Sequence, residues 1–217
     1  MINTYHLRQK WAGHLAVMLA VALIAGCQSA GENAATNTGS PVAATPAQPA
    51  PLAPHPITAL SVPPLAVTPP VRINCGAAEK MRDSAGNAWL ADEGFADGNP
   101  YQVDDAQISN TRDPGIYRTE RYSMTSYNFG VPNGQYTVKL HFAEVYSGIT
   151  GPGDRVFSFN VQGHEFKDFD IWVKAGGPDK AYIQSVDVDV TNGVLSITFT
   201  PNVENPKVNG IEILPQS

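Results

Sequence analysis

Cysteine is nearly absent from this chain. Two occur in 217 residues, Cys27 and Cys75, so no disulfide framework can staple the fold. Charge is sparse as well, at 16 % of residues, and acid prevails: 20 Asp and Glu against 14 Lys and Arg, a formal net charge of −6. An acidic surface opposes phosphate backbones, which are held by Lys and Arg neutralisation, so nucleic acid is not an expected partner. No segment sustains an apolar period of 3.6 over three turns, which removes amphipathic helices from the expected architecture. The apolar run at 15–25, "LAVMLAVALIA", is shorter than the roughly 20 residues that span a bilayer. No GxSxG, HExxH or Cys–His arrangement is visible, so the common hydrolase signatures are missing.

The run at 15–25 does have a reading. It follows Arg8 and Lys10 and precedes Gly26-Cys27, the order of a secretory signal. Ile24-Ala25-Gly26-Cys27 resembles a bacterial lipobox. The resemblance implies a lipoprotein signal peptide over 1–26, cleavage before Cys27, and lipid, palmitate included, on the Cys27 thiol. Acyl chains hold a protein on a membrane without a spanning helix. The alternative is a plain signal peptide with an incidental cysteine. Gln28 after the cysteine is similar to lipoproteins sorted to the outer membrane of Gram-negative bacteria, which places the protein in the cell envelope. Loss of Arg8 and Lys10 with the leader would raise the acidic excess further. Residues 28–70 are dominated by Ala, Pro, Thr and Val with almost no charge. Frequent proline blocks helix and sheet, so residues 27–70 are expected to form a disordered, semi-rigid tether.

Residues 71–217 carry the strand signals. In "GQYTVKLHFAEVY", Tyr136, Val138, Leu140 and Phe142 fall on one face. Phe157, Phe159 and Val161 do the same in "RVFSFNVQG", and Phe169, Ile171 and Val173 in "KDFDIWV". Val186, Val188 and Val190 alternate with Asp187 and Asp189, and beyond Asn192-Gly193 Leu195, Ile197 and Phe199 alternate with Ser196 and Thr198. An Asn-Gly pair between alternating runs predicts a tight hairpin. Many short strands with one buried face predict an all-β, two-sheet sandwich or jelly roll. Cys75, in the apolar "VRINCG", is expected to be a small buried side chain.

"GIYRTERYSM" at 115–124 does not fit a core strand. Read as a strand, it puts Tyr117, Thr119, Arg121 and Ser123 on one face, and Ile116, Arg118, Glu120, Tyr122 and Met124 on the other. Neither face is apolar. Two tyrosines among two arginines and a glutamate fit a recognition platform: rings stack on the C–H faces of a sugar, and charged groups bond its hydroxyls. The alternative is a core tyrosine beside an edge strand dressed in charge. Further on, the apolar face of 136–142 runs into Glu144 and Tyr146. Glu144 reads either as a tie between strand ends, with Arg118, Arg121 or Arg155 as partner, or as a site acid. Tyr146 sits at the edge of the Gly-rich "SGITGPGD". Asp92, Glu93, Asp97, Asp104 and Asp105 do not match an EF-hand loop, so no metal and no cofactor are expected.

Taken together, "RINCG", "IYRTERY", "YTVKLHFAEVY", "RVFSFNVQG", "DFDI" and "NPKVNGIEI" resemble the malectin domain in the family's order. The resemblance implies a β-sandwich lectin fold without catalysis that binds glucose-type disaccharides, α-glucan oligosaccharides among them. Its site is made by aromatic side chains at one end of the sandwich plus one acid. Carried over, Tyr117 and Tyr122 fall in "YRTERY", Tyr146 in "FAEVY", and Glu204 just before "NPKV". Two positions depart from the family pattern: Ser147 stands where a second aromatic follows the tyrosine, and Glu204 replaces an aspartate. Phe95 or Tyr101 is expected to supply the missing ring. The candidate carbohydrate-binding residues are therefore Tyr101, Tyr117, Tyr122, Glu144, Tyr146 and Glu204. Two other functions use the same residues: an adhesive protein-interaction module, and a glycosidase built on Glu120 and Glu144. The latter needs two free carboxyl groups across the bond, and arginines stand ready to neutralise both.

Overall fold

The computed structural model describes residues 63–217; the expected signal peptide, Cys27 and most of the proline-rich segment lie outside the described residues. The chain passes in order through β1 (Leu65–Ala66), β2 (Val71–Asn74), β3 (Met81–Arg82), β4 (Ala88–Trp89), β5 (Asn99–Gln102), β6 (Thr119–Tyr122), β7 (Ser126–Gly130), β8 (Gly134–Phe142), β9 (Val156–Val161), β10 (His164–Phe169), β11 (Tyr182–Val190), β12 (Val194–Val203), β13 (Lys207–Val208) and β14 (Gly210–Pro215). A 3-10 turn covers Pro114–Tyr117, and one short helix, α1, covers Ile171–Ala175.

Two sheets make the sandwich. One has the order β1-β7-β12-β9-β10 and the other β11-β8-β14-β2. Period-two patterning selects their facing surfaces. Phe129, Phe157, Phe159, Val161, Leu195 and Ile197 point inward from the first sheet, and Val138, Leu140, Phe142, Ile211, Ile213 and Ile73 from the second; all are essentially buried. Phe142, Phe157, Phe159 and Phe169 pack with ring centroids 4.9–6.1 Å apart. Cys75 is buried, with no disulfide partner among the described residues, and burial pushes its thiol well above the ordinary range.

Three local expectations give way to longer-range packing. Asn192-Gly193 joins strands of different sheets, because β11 pairs with β8 while β12 pairs with β7 and β9. The valines of β11 and the apolar residues of β12 therefore meet across the core instead of side by side in a hairpin. Beyond Phe169 the strand gives way to α1, whose N-cap Asp170 accepts a hydrogen bond from the Val173 amide at 3.1 Å; Val173 is exposed. Finally, sheet structure begins ahead of Val71: Leu65 and Ala66 pair in parallel with Phe129 and Gly130.

A second apolar cluster covers the outer face of the β11-β8-β14-β2 sheet. It contains Trp89, Ile108, Ile116 and Tyr117. The Trp89 ring meets the edge of His141 with centroids 5.2 Å apart. Its indole N–H donates to Asp83 Oδ2 at 3.1 Å.

Candidate functional site

The small sheet β13-β6-β5 lays the base of the site. Its register sets Tyr101 opposite Glu120, and both Asn99 and Lys207 opposite Tyr122. Direct cross-strand partners share a face, as do residues two apart on one strand. Tyr101, Glu120, Tyr122 and Lys207 therefore project to one side. Arg121 points to the other, where its Nε donates to Asp92 Oδ2 at 2.6 Å and its guanidinium lies 3.3 Å from the centroid of Phe95. Asp92 also accepts from the Gly76 amide at 2.7 Å and from the Tyr127 hydroxyl at 2.8 Å. Burial pushes its carboxyl up against the pull of those hydrogen bonds and of Arg121. Gly76 sits at φ +79 with no room for a Cβ against the Glu120 backbone. This cluster fixes β6 from behind.

In front of β6 is a cavity of 210 Å³ lined by Tyr101, Glu120, Tyr122, Tyr146, Arg155 and Glu204. Five chain segments meet there. Tyr146 arrives just past β8, with its ring 5.9 Å from that of Tyr101 at an interplanar angle of 89°. It lies close over Gly148, where a Cβ would overlap the ring. Glu204 follows β12 with φ +60, a conformation uncommon outside glycine.

The floor consists of two buried ion pairs. Lys207, fully buried, donates from Nζ to Glu120 Oε2 and to the Ala143 carbonyl. Arg155 Nε donates to Glu144 Oε2 at 2.8 Å, and its Nη1 to the Asn205 carbonyl at 2.6 Å. Glu144 Oε1 accepts from the Tyr146 amide at 3.2 Å. Buried charges persist when paired and hydrogen-bonded in this way. Among the residues that line the cavity, several atoms have no hydrogen bond to another described residue: Glu120 Oε1, Arg155 Nη2, Glu204 Oε2 and the hydroxyls of Tyr101, Tyr122 and Tyr146. A pyranose presents the complementary surface, an apolar C–H face for the rings and hydroxyls that donate to carboxylates and accept from a guanidinium.

Of the six residues singled out from the sequence, Tyr101, Tyr122, Tyr146 and Glu204 come together here. Glu144 lies beneath the cavity, holding Arg155 and the Tyr146 backbone. Tyr117 is a correction. The 3-10 turn interrupts the strand before β6 and carries Tyr117 into the outer cluster, where it is buried and its hydroxyl bonds His141 Nδ1 at 2.8 Å. Burial raises its phenol above the ordinary range. Of the two rings expected to make up for Ser147, Tyr101 lies in the cavity lining beside Tyr146, whereas Phe95 packs on Arg121 and Tyr127. Sequence reasoning missed Lys207 entirely and treated Arg155 only as a partner for Glu144. A lysine between Pro206 and Val208, ahead of an apolar strand, was the available signal, since a buried lysine requires a partner.

A family model described as the malectin domain matches residues 70–211. The chain is 32 % identical to Malectin-B of Xenopus laevis over 124 residues, which are 49 % of this chain and 44 % of that protein. It is 33 % identical over 165 residues to a probable LRR receptor-like serine/threonine-protein kinase of Arabidopsis thaliana, covering 58 % of this chain and 16 % of the kinase. It thus spans less than half the length of these relatives. Among solved structures, the extracellular domain of ANXUR1 from Arabidopsis thaliana superposes with a TM-score of 0.59 at 20 % identity, over 66 % of this chain and 47 % of that one. A β-glucuronidase of Bacteroides uniformis gives 0.61 at 18 % identity, over 68 % and 18 %. Both are likenesses of fold. The malectin domain is a carbohydrate-binding fold, in keeping with a sandwich that gathers tyrosines at one end. By the match over 70–211, the chain belongs to the malectin-domain family.

Proposed function

We propose that the domain binds a glucose-type di- or oligosaccharide, of α-glucan kind, without processing it. The observation that carries this reading is the convergence of three tyrosine rings from separate segments over a floor of ion-paired Glu120 and Arg155. The rings take the apolar face of one pyranose, and Glu120 Oε1 with Arg155 Nη2 bridges neighbouring hydroxyls. Binding without turnover is supported by the state of the carboxylates. A hydrolytic pair needs one carboxyl able to deliver a proton and a second facing the sugar or its attacking water, whereas Glu120 is tied to the Lys207 ammonium and Glu144 to Arg155.

The leader and Cys27 extend the proposal to location: a lipid-anchored protein of the cell envelope, at the outer membrane, with 28–70 as tether. Palmitate labelling lost in Cys27→Ser tests that part. A glycan array probed with the full chain tests the rest. Binding to α-linked glucans, weakened at least about tenfold in Tyr146→Ala with an unchanged melting temperature, is the expected result. A blank array for the folded protein refutes sugar recognition and leaves the aromatic rim to protein contacts.

A further inference from the structure

We infer that the saccharide site continues over the Tyr146–Glu204 rim into a second hollow, so that it holds an oligosaccharide of three or more rings and not an isolated disaccharide. This rests on the sugar-binding reading above. The first cavity, at 210 Å³, is smaller than the roughly 300–1,000 Å³ of ordinary ligand pockets. A longer sugar seated there must leave over its rim. The same two residues also line an open hollow of 490 Å³, completed by Ile149, Asp154, Val203 and the glycine backbone of the 148–153 loop.

Its chemistry repeats that of the first cavity in weaker form. Tyr146, 44 % exposed, lines both hollows. Val203, 49 % exposed at the end of β12, offers an apolar flank for a ring C–H face. Asp154 Oδ2 accepts from the Thr150 and Gly151 amides at 2.9 Å each and from the Thr150 hydroxyl at 3.0 Å. That capping fixes the loop, and Oδ1 is left as an acceptor that no described residue engages. The same hydrogen bonds hold the Asp154 carboxyl below the usual range, so it stays charged at neutral pH. Glu204 stands between the hollows with one oxygen on Asn205 and the other open. Two acceptors, one shared ring and one apolar flank suit successive residues of a glucan.

Titration calorimetry of the full chain with maltose and with maltotetraose provides the test, in the natural protein and in Val203→Asp. Val203 is half-exposed and terminal in its strand, so the substitution leaves the core untouched; an unchanged melting temperature verifies this. The tetraose is expected to bind about tenfold tighter than the disaccharide, and Val203→Asp to reduce that ratio to below about twofold. Equal affinities in the natural protein overturn the second hollow while leaving the first intact. A ratio that survives Val203→Asp overturns its placement. Failure of both sugars to bind overturns the α-glucan reading itself, and with it this inference.

Discussion

Replacing Lys207 with methionine removes one ammonium from the interior while nearly preserving side-chain length. In the natural protein that ammonium is fully buried and serves two acceptors, Glu120 Oε2 and the Ala143 carbonyl. Glu120 is 2 % exposed, so the substitution leaves a carboxylate stranded out of water. Breaking a buried pair by removing one partner costs about 3–5 kcal/mol, a large share of the roughly 5–15 kcal/mol that holds a domain together. For a domain of this size that is a fall of about 6–20 °C in melting temperature. The discriminating assay is a double-mutant cycle by urea denaturation. Glu120→Gln in the Lys207→Met background removes the stranded charge, so the double variant is expected to be more stable than the sum of the single losses by at least about 2 kcal/mol. Sugar binding is expected to vanish in Lys207→Met, since Glu120 loses the partner that aims it at the cavity. Additive losses, or a single-variant cost below about 1 kcal/mol, would refute the claim that this pair sets the floor.

Other perturbations probe the remaining supports. Gly148→Ala puts a Cβ into the Tyr146 ring; because the ring is solvent-facing and can swing, stability is expected to hold while sugar affinity, read by calorimetry, falls at least about tenfold. Tyr117→Phe removes the hydroxyl bonded to His141 and is expected to cost about 1–2 kcal/mol in urea denaturation with sugar affinity unchanged; a loss of affinity would return Tyr117 to the site. Burial alone would raise the Glu212 carboxyl, but the hydrogen bond and charge of His141, with Arg72 and Lys139, hold it below the ordinary glutamate range. A lowered folded pKa gives stability that is complete above the unfolded value, about 4.3, and is lost as pH falls through the folded value. Glu212→Gln is therefore expected to flatten the acid limb of melting temperature below about pH 5; an unaltered limb contradicts that role.

Much of the sandwich could be read from period-two patterning. Tyr136 to Phe142, Phe157 to Val161 and Leu195 to Phe199 face the core as their alternation requires. Errors arose where local and tertiary preferences compete. Ile171 and Val173 extend an alternating run, yet Asp170 caps a helix there, and a cap contributes about as much as one strand pairing. Asn192-Gly193 turns the chain as its chemistry demands, but which strands it joins depends on partners far along the sequence.

Composition and alternation were enough for the class of fold, the buried faces and the place of Tyr146 at a strand end, because side-chain direction along a strand is a local property; Glu204 was legible only through the resemblance to the malectin domain. Partnership is not local. Tyr117 and Tyr122 look equivalent on paper, five residues apart in one polar run; a single 3-10 turn sends the first under Trp89 and leaves the second over Glu120. Likewise, nothing in "NPKV" names Glu120 as the counterion of Lys207, 87 residues distant. Such pairs form only when sheet register brings them together, and the desolvation of buried charge then makes that register costly to change.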